Sequence, residues 1–268
     1  MTKGTFVGSE GQIYYRKKRP PEEVSPLRIA VIVHGYAEHG GRYRHVAEDF
    51  AASTIVTYLP DHLGHGRSDG ERAAITDFEH LVDDLETLVT RAQGDYPDLP
   101  IVMIGHSLGG LLTARFAQRN PGRLAGIALL GAVLGDWEWA RTVLALPELP
   151  PSDSDPAGMS RDPDACKSYA EDPFVYHGTY KRALLEAEIV CLDACNEQLR
   201  EIDVPVLCLH GEADPFVPPG PTVSAVERMS SLDKTIIIYP EARHELVNEI
   251  NKSEVIAELR SFVERVTR

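Results

Sequence analysis

Gly105-His106-Ser107-Leu108-Gly109 forms a G-x-S-x-G pentapeptide between two stretches of different character. The apolar run 101–104 before it is typical of a buried strand, and residues 111–120 after it are typical of a helix. A strand that turns sharply into a helix brings backbone against backbone, so the neighbours of the central residue must be small. The pentapeptide therefore predicts an exposed, nucleophilic Ser107 on a strand-to-helix turn in an α/β fold.

A serine hydroxyl becomes a good nucleophile only when a base removes its proton and an acid orients that base. The apolar run 204–209 leads into a loop that carries Asp214, and the β-branched run 235–239 leads into a loop that carries His244. Because open parallel sheets place their sites at the carboxyl ends of strands, these loops should meet beside Ser107. The sequence therefore predicts a catalytic triad of Ser107, Asp214 and His244.

Other residues compete for two of these roles. Glu212 is an alternative acid, and Asp214 is favoured over it because two nearby prolines stiffen the loop that follows. His106 and His210 lie within or at the end of a predicted strand, where a histidine often has a structural role. We therefore assign the base to His244.

Two backbone N–H groups are candidates for binding an oxyanion. Tyr36 follows the apolar run 29–33, and Leu108 stands directly after Ser107 at the start of the predicted helix. Donors at these positions can stabilise the negative charge that develops on an attacked carbonyl oxygen. The sequence thus predicts an oxyanion hole formed by the N–H groups of Tyr36 and Leu108.

Three segments together resemble monoacylglycerol lipases of the α/β-hydrolase superfamily: residues 33–43 (VHGYAEHGGRY), residues 61–68 (DHLGHGRS) and the elbow with its following glycine. The resemblance covers nearly the whole chain and is sharpest over 31–131 and 204–247. It implies an α/β-hydrolase fold, in which helices flank a mostly parallel sheet and a cap is inserted. The chain departs from the family where Tyr36-Ala37 replace a small residue and a glycine, which would narrow the acyl pocket, and in a shorter stretch between elbow and acid.

The resemblance also implies a polar pocket for glycerol at Glu38, Arg42 and Tyr169. The residues themselves allow another interpretation. Glu38 and Arg42 are spaced as an i, i+4 ion pair on a turn, and Tyr169 can be an ordinary cap residue.

The alternation of strands and helices fails between residues 134 and 201, which predicts a cap between core segments 1–133 and 202–268. Both tryptophans of the chain, Trp137 and Trp139, lie in this segment, followed by Pro147, Pro150 and Pro151 and further prolines among serines and aspartates. This composition predicts an irregular, mobile cap. Its apolar residues either line an acyl tunnel and transiently touch lipid surfaces, or roof the core.

Local patterns predict further elements of the core. Residues 5–17 are expected to form a hairpin, and 126–133 a strand. Thr76-Asp77-Phe78-Glu79 has the form of a capping box, and the residues after it repeat at helical spacing. Apolar residues at helical spacing also predict a final helix over 256–266.

The 268 residues carry a formal net charge of −14, which argues against nucleic acid and anionic lipid as electrostatic partners. Asp61, His62 and His65 resemble metal ligands, but no fourth ligand stands at a recognisable spacing, so we predict no metal. The chemistry needs no cofactor. Since the first residues lack an apolar signal segment, we expect a cytoplasmic protein, with peripheral contact to membranes or lipid droplets left open.

These observations favour serine acyl transfer to water, with monoacylglycerol as the substrate, glycerol and fatty acid as the products, and an acyl-enzyme as the intermediate. Carboxylesterases, lysophospholipases and thioesterases of the same fold have the same triad with different pockets. A ligand receptor on this scaffold is the non-enzymatic alternative. The sequence leaves the oligomeric state open.

Overall fold

The computed structural model describes residues 1–149 and 155–268. In these residues the chain forms one eight-stranded sheet, with strands in the spatial order β1-β2-β4-β3-β5-β6-β7-β8. The strands are β1 (Thr2–Val7), β2 (Gln12–Lys18), β3 (Arg28–Val33), β4 (Ile55–Pro60), β5 (Ile101–His106), β6 (Gly126–Leu130), β7 (Val206–Gly211) and β8 (Lys234–Tyr239). Strands β1 and β2 pair antiparallel, β2 pairs antiparallel with β4, and all other pairings are parallel.

Helices cover both faces of this sheet. They are α1 (Arg44–Ala52), α2 (Phe78–Asp95), α3 (Leu108–Arg119), α4 (Glu138–Leu144), α5 (Pro156–Met159), α6 (Pro163–Glu171), α7 (Arg182–Glu197), α8 (Pro219–Arg228) and α9 (Lys252–Val266). One hydrophobic cluster joins α1 and α9 to the sheet, and a second joins α2, α3, α7 and α8 to it. No helix in the described ranges has both the length and the apolar character needed to span a bilayer.

The predicted α/β-hydrolase fold is confirmed, with corrections at two element ends. The hairpin of β1 and β2 is present, and the N–H of Gly8 donates to the carbonyl of Gly11 across its turn at 2.7 Å. The strand predicted over 126–133 ends at Leu130, because Gly131 turns the chain with a φ of +50°. The predicted capping box is wrong in its cap residue: Asp77, not Thr76, caps α2 by accepting from the N–H of Glu79 at 2.9 Å.

The segment predicted as a cap, residues 134–201, contains helices α4 to α7 in its described part. Helix α7 packs on the core, where Leu184 and Leu192 are buried and the Gln118 amide donates to the carbonyl of Cys195 at 2.8 Å. Helices α5 and α6 contribute Met159 and Tyr169 to a small separate hydrophobic cluster. Pro150 and Pro151, on which the expectation of irregularity partly rested, lie outside the described residues. The boundaries and mobility of the cap stay predictions.

Candidate active site

Ser107 occupies the turn between β5 and α3 in a strained conformation, with φ of 55° and ψ of −122°. The glycines on either side allow this turn. A Cβ at Gly105 would lie 2.1 Å from the carbonyl oxygen of Gly109, and a Cβ at Gly109 would lie 2.2 Å from that of Val33. Both distances are far inside van der Waals contact, so only glycine fits at either position. The predicted elbow geometry is present.

The predicted oxyanion donors lie next to this serine in the chain or in space. Leu108 is the first residue of α3, so its N–H has no acceptor within the helix. Gly35, which precedes Tyr36, lies so close to the elbow that an added Cβ would be 3.0 Å from the Cβ of Ser107. The loop after β3 therefore runs directly beside Ser107, as an oxyanion hole that uses the N–H of Tyr36 requires.

Asp214 and His244 form a hydrogen-bonded pair at the ends of β7 and β8. The Nδ1 of His244 donates to Oδ2 of Asp214 at 2.7 Å. The other carboxylate oxygen accepts from the N–H groups of Phe216 and Val217, each at 3.0 Å. These bonds fix the carboxylate and select the His244 tautomer whose Nε2 is an acceptor.

The same pairing sets the charge of both groups. Burial alone would raise the pKa of Asp214, but His244, His210 and the N–H of Val217 outweigh it and hold that pKa well below its usual range. Burial alone would lower the pKa of His244, and the negative charge of Asp214 raises it above its usual value instead. Asp214 is therefore ionised at neutral pH and stabilises a protonated His244.

The competing residues have other hydrogen-bond partners, although His210 also lies beside Asp214, with its Nε2 3.4 Å from Oδ2. Glu212 is exposed and accepts a long bond from the N–H of Glu241, at 3.3 Å. His106 bonds the carbonyl of Leu130 at 3.1 Å, and His210 bonds that of Val217 at 2.8 Å. The structure thus brings Asp214, rather than Glu212, to His244.

Ser107 and His244 line one narrow cavity of about 50 Å³. Pockets for small-molecule ligands typically have about 300–1,000 Å³, so this cavity is small. Its wall comes largely from the loops after the strands and from the cap, and includes Tyr36, Val133, Trp137, Met159, Tyr169 and Glu188. Tyr36 and Tyr169 are among the residues predicted for this site from the sequence, and Glu188 is not.

Glu38 and Arg42 form the ion pair that their spacing allows and do not line this cavity. The Glu38 carboxyl is buried and accepts from the N–H of Gly35 at 2.7 Å and from the hydroxyl of Tyr43 at 2.6 Å. Burial raises the pKa of Glu38 to about 7, against the opposing charge of Arg42. Glu38 thus holds the loop that presents Tyr36, and the structure places it behind the cavity wall rather than in it.

Arg42 connects this loop to the loop of His244. Its guanidinium donates to the carboxylate of Glu245, the residue after His244, and lies 4.7 Å from the centre of the Tyr169 ring. Tyr169 itself lines the cavity. Of the three residues implied for a glycerol pocket, Tyr169 is therefore in position to touch a substrate, and Arg42 supports it. Glu245 was missed, although its place beside His244 could have drawn attention to it.

The trio considered as a metal site has other partners. Asp61 accepts from the Arg16 guanidinium at 2.6 Å and from the N–H groups of Gly40 and Arg67, each at 2.9 Å. His62 bonds the carbonyl of His34 at 3.1 Å. These bonds tie together the loops after β3 and β4, and no metal-binding group of His, Cys, Asp or Glu side chains occurs in residues 1–149 and 155–268.

Comparison with known proteins adds to this geometry. A family model described as serine aminopeptidase, S33, matches residues 25–251. The chain is 33% identical to a monoacylglycerol lipase of Mycolicibacterium smegmatis, over 97% of this chain and 95% of that protein. It is 30% identical to the monoglyceride lipase of Homo sapiens, over 98% of this chain and 90% of that protein. The chain belongs to the monoacylglycerol lipase family of α/β-hydrolases.

Structural similarity to the family extends over the whole fold. The crystal structure of a Paleococcus ferrophilus monoacylglycerol lipase superposes with a TM-score of 0.81 at 27% identity, covering 95% of this chain and 99% of that one. The match therefore extends over nearly all of both chains. Membership of the family thus agrees with the elbow and with the Asp214–His244 pair.

Proposed function

We propose that this protein hydrolyses monoacylglycerols to glycerol and free fatty acid, with Ser107 as the nucleophile. The observation that carries the proposal is the buried Asp214–His244 pair, bonded at 2.7 Å, whose His244 lines one cavity with the strained Ser107. The protein is a carboxylic ester hydrolase, as its relatives over the full chain length are. The names of these relatives give monoacylglycerol as their substrate.

The first half of the reaction forms an acyl-enzyme. The ester carbonyl oxygen accepts from the N–H groups of Tyr36 and Leu108, while Oγ of Ser107 attacks the carbonyl carbon. Nε2 of His244 takes the serine proton, and the Asp214 carboxylate stabilises the resulting imidazolium. The tetrahedral intermediate then collapses, its bond to the alcohol oxygen breaks, and His244 returns the proton to the departing glycerol.

The second half releases the fatty acid. Water enters the place that glycerol has left and gives a proton to His244 as it attacks the acyl-enzyme. The same oxyanion donors hold the second tetrahedral intermediate, and Ser107 leaves with the proton from His244. Because every proton transfer uses one base, the reaction requires no metal or cofactor.

Tyr169 is our candidate for direct contact with glycerol. It lines the cavity, and its ring rests on the Arg42 guanidinium, which is itself fixed by Glu38 and Glu245. We assign Glu38 and Arg42 to positioning: Glu38 holds Gly35 beside Ser107, and Arg42 supports Tyr169. This arrangement places the recognition of the alcohol next to His244, which protonates it.

A short-chain carboxylesterase is the second candidate, and the size of the cavity favours it. The cavity is small for a ligand pocket, and a long chain enters only if cap residues move aside. The Tyr36 ring contributes to this narrowness because it stacks on Tyr180 with ring centres 5.0 Å apart. Chain-length preference therefore separates the two candidates.

Exposed apolar side chains on the cap segment support transient contact with a lipid surface. Trp139, Leu146 and Phe174 are among the large apolar residues exposed in the described part of the chain. These side chains would contact a membrane or lipid droplet that holds the substrate. The net charge of −14 means that such contact is apolar rather than electrostatic.

The experiment is to measure release of glycerol and fatty acid by the purified protein from monoacylglycerols of increasing chain length. Diacylglycerol, lysophospholipid and p-nitrophenyl butyrate are assayed in parallel. We expect the highest kcat/KM with a monoacylglycerol. Activity restricted to short activated esters would instead assign a carboxylesterase, and a protein with no activity on any ester would be a receptor.

A further inference from the structure

Glu188, on α7, is a carboxyl group in the wall of the same cavity. The residue is 2% exposed and lines the cavity together with Ser107. Among residues 1–149 and 155–268 its carboxyl has no hydrogen-bond or ion-pair partner. Burying a polar group without a partner is costly, so such groups in folded proteins usually meet a partner that is protein, water or ligand.

A second polar group in the wall of this cavity also lacks a partner. The hydroxyl of Tyr36 is buried and has no hydrogen-bond partner in the described residues. Both side chains line the cavity, and the carboxyl of Glu188 contributes to raising the pKa of Tyr36. Tyr180 stacks on Tyr36 and is also influenced by Glu188, so these three side chains form one wall.

Burial decides the charge that Glu188 presents. Removal from water raises its pKa to about 8, and no neighbouring cation opposes the shift. At neutral pH the group is therefore mostly a neutral carboxylic acid, which has one O–H donor and acceptor oxygens. A neutral acid suits a neutral hydrogen-bonding ligand better than a cation.

The position of this wall identifies the part of the substrate that it faces. His244 protonates the leaving alcohol, so the alcohol lies on the His244 side of Ser107. Met159 belongs to that side, because its carbonyl accepts from the N–H of Glu245 at 2.8 Å. Tyr169, our candidate for contact with the alcohol, lies on α6, which packs on α5, whereas Glu188 lies on α7, which packs on α2, α3 and α4. The Tyr36 ring stacks on Tyr180, just before α7. We therefore place Glu188 and the Tyr36 hydroxyl at the acyl end.

We propose that Glu188 and the Tyr36 hydroxyl form a polar recognition site at the acyl end of the cavity, which selects acyl groups that carry a hydroxyl group. The substrate hydroxyl donates to an oxygen of Glu188 and accepts from the hydroxyl of Tyr36. A plain hydrocarbon chain leaves both groups unpaired. This inference rests on the proposed function and specifies its acyl group.

The test compares kcat/KM for p-nitrophenyl butanoate and octanoate with the same esters carrying one hydroxyl at successive chain positions. The leaving group is constant, so the ratio of hydroxylated to plain ester reports the acyl end alone. For the best position, we expect Glu188→Leu to lower this ratio about tenfold, as loss of one net hydrogen bond does, and to raise activity on the plain ester. Glu188→Gln, which keeps a neutral donor and acceptor, should keep the ratio within about threefold of the wild type.

A ratio that changes less than about threefold in Glu188→Leu, at every hydroxyl position, overturns the proposal. If that variant does not fold, the same ratio is measured in Tyr36→Phe, which removes one oxygen atom, and a change of less than about threefold there overturns the proposal. The control is the preference of each variant for a glycerol ester over an ethanol ester of the same acyl group. A variant that changes this preference, and not the ratio of hydroxylated to plain ester, also overturns the proposal. Hydrolysis of the plain ester that survives Ser107→Ala would refute the proposed function itself, which distinguishes the two failures.

Discussion

Asp214 at the strand ends and Glu188 on the cap helix α7 are both buried carboxyl groups, yet their environments are opposite. Asp214 accepts hydrogen bonds from His244, Phe216 and Val217. Glu188 accepts none in the described part of the chain. Accordingly, the pKa of Asp214 is held well below its usual range, whereas burial raises that of Glu188 to about 8.

The difference shows that partners, rather than burial, decide what a buried carboxyl can do. A carboxylate with several donors stays charged and can stabilise a neighbouring cation, as an acid in a triad must. A carboxyl without donors becomes neutral and is available to a ligand. The strand-end region is thus organised for chemistry and the α7 region for selection of the substrate, and each can be tested separately.

The largest effect should follow from the strand-end region. Ser107→Ala removes the nucleophile, and we expect kcat for a monoacylglycerol to fall about a millionfold, as in other serine triads. Ser224→Ala, at an exposed position of α8, is the matched control and should leave kcat unchanged. Near-full activity in Ser107→Ala would show that Ser107 is not the nucleophile.

Asp214→Asn should lower kcat about ten-thousandfold, because an amide favours the wrong tautomer of His244. Glu212→Gln makes the same chemical change two residues away on an exposed side chain and should have no comparable effect. Steady-state kinetics of both variants tests which residue orients the base. A larger loss in Glu212→Gln than in Asp214→Asn would reverse the assignment.

Glu188→Gln should make the free energy of unfolding less sensitive to pH. Since the pKa of Glu188 rises from 4.5 to about 8 on folding, its contribution is fully present below pH 4.5 and is lost as pH rises through about 8. The wild type should therefore lose a few kcal/mol relative to Glu188→Gln between about pH 5 and about pH 9. Urea unfolding of both proteins across this range measures the difference, and parallel curves would show that Glu188 ionises freely.

The smallest effect concerns the alcohol end. Tyr169→Phe should lower kcat/KM for a monoacylglycerol about fivefold more than for the ethyl ester of the same acid, as expected for one lost hydrogen bond. Tyr176→Phe is a control at a tyrosine that does not line the cavity. Equal losses on both esters would return Tyr169 to a structural role in the cap.

Much of the strand-end region could be predicted from the sequence, because each of its residues directly follows a short apolar strand. Parallel pairing of β5, β6, β7 and β8 then brings Ser107, Asp214 and His244 to one edge of the sheet. The order of these residues along the chain was therefore sufficient to predict that they lie at one edge of the sheet. Roles for these residues remain proposals that the kinetics above test.

The α7 region could not be predicted in the same way. The buried residues of α7 recur at helical spacing and include Glu188, so periodicity could have marked this position as buried. That Glu188 also borders the cavity depends on how α7 packs in the fold, which spacing alone does not give. For Glu38 and Arg42, spacing alone allowed both an ion pair and a glycerol contact. The bond between Arg42 and Glu245 joins residues that are far apart in the sequence, and only the fold brings them together.

Labelling with a fluorophosphonate probe, followed by peptide mapping, tests most directly whether the strand-end region activates Ser107. We predict a single phosphonylated residue, Ser107, in the wild type, no labelling in Ser107→Ala, and much slower labelling in Asp214→Asn. Absence of labelling in the folded wild-type protein, or labelling at another residue, would contradict the central claim.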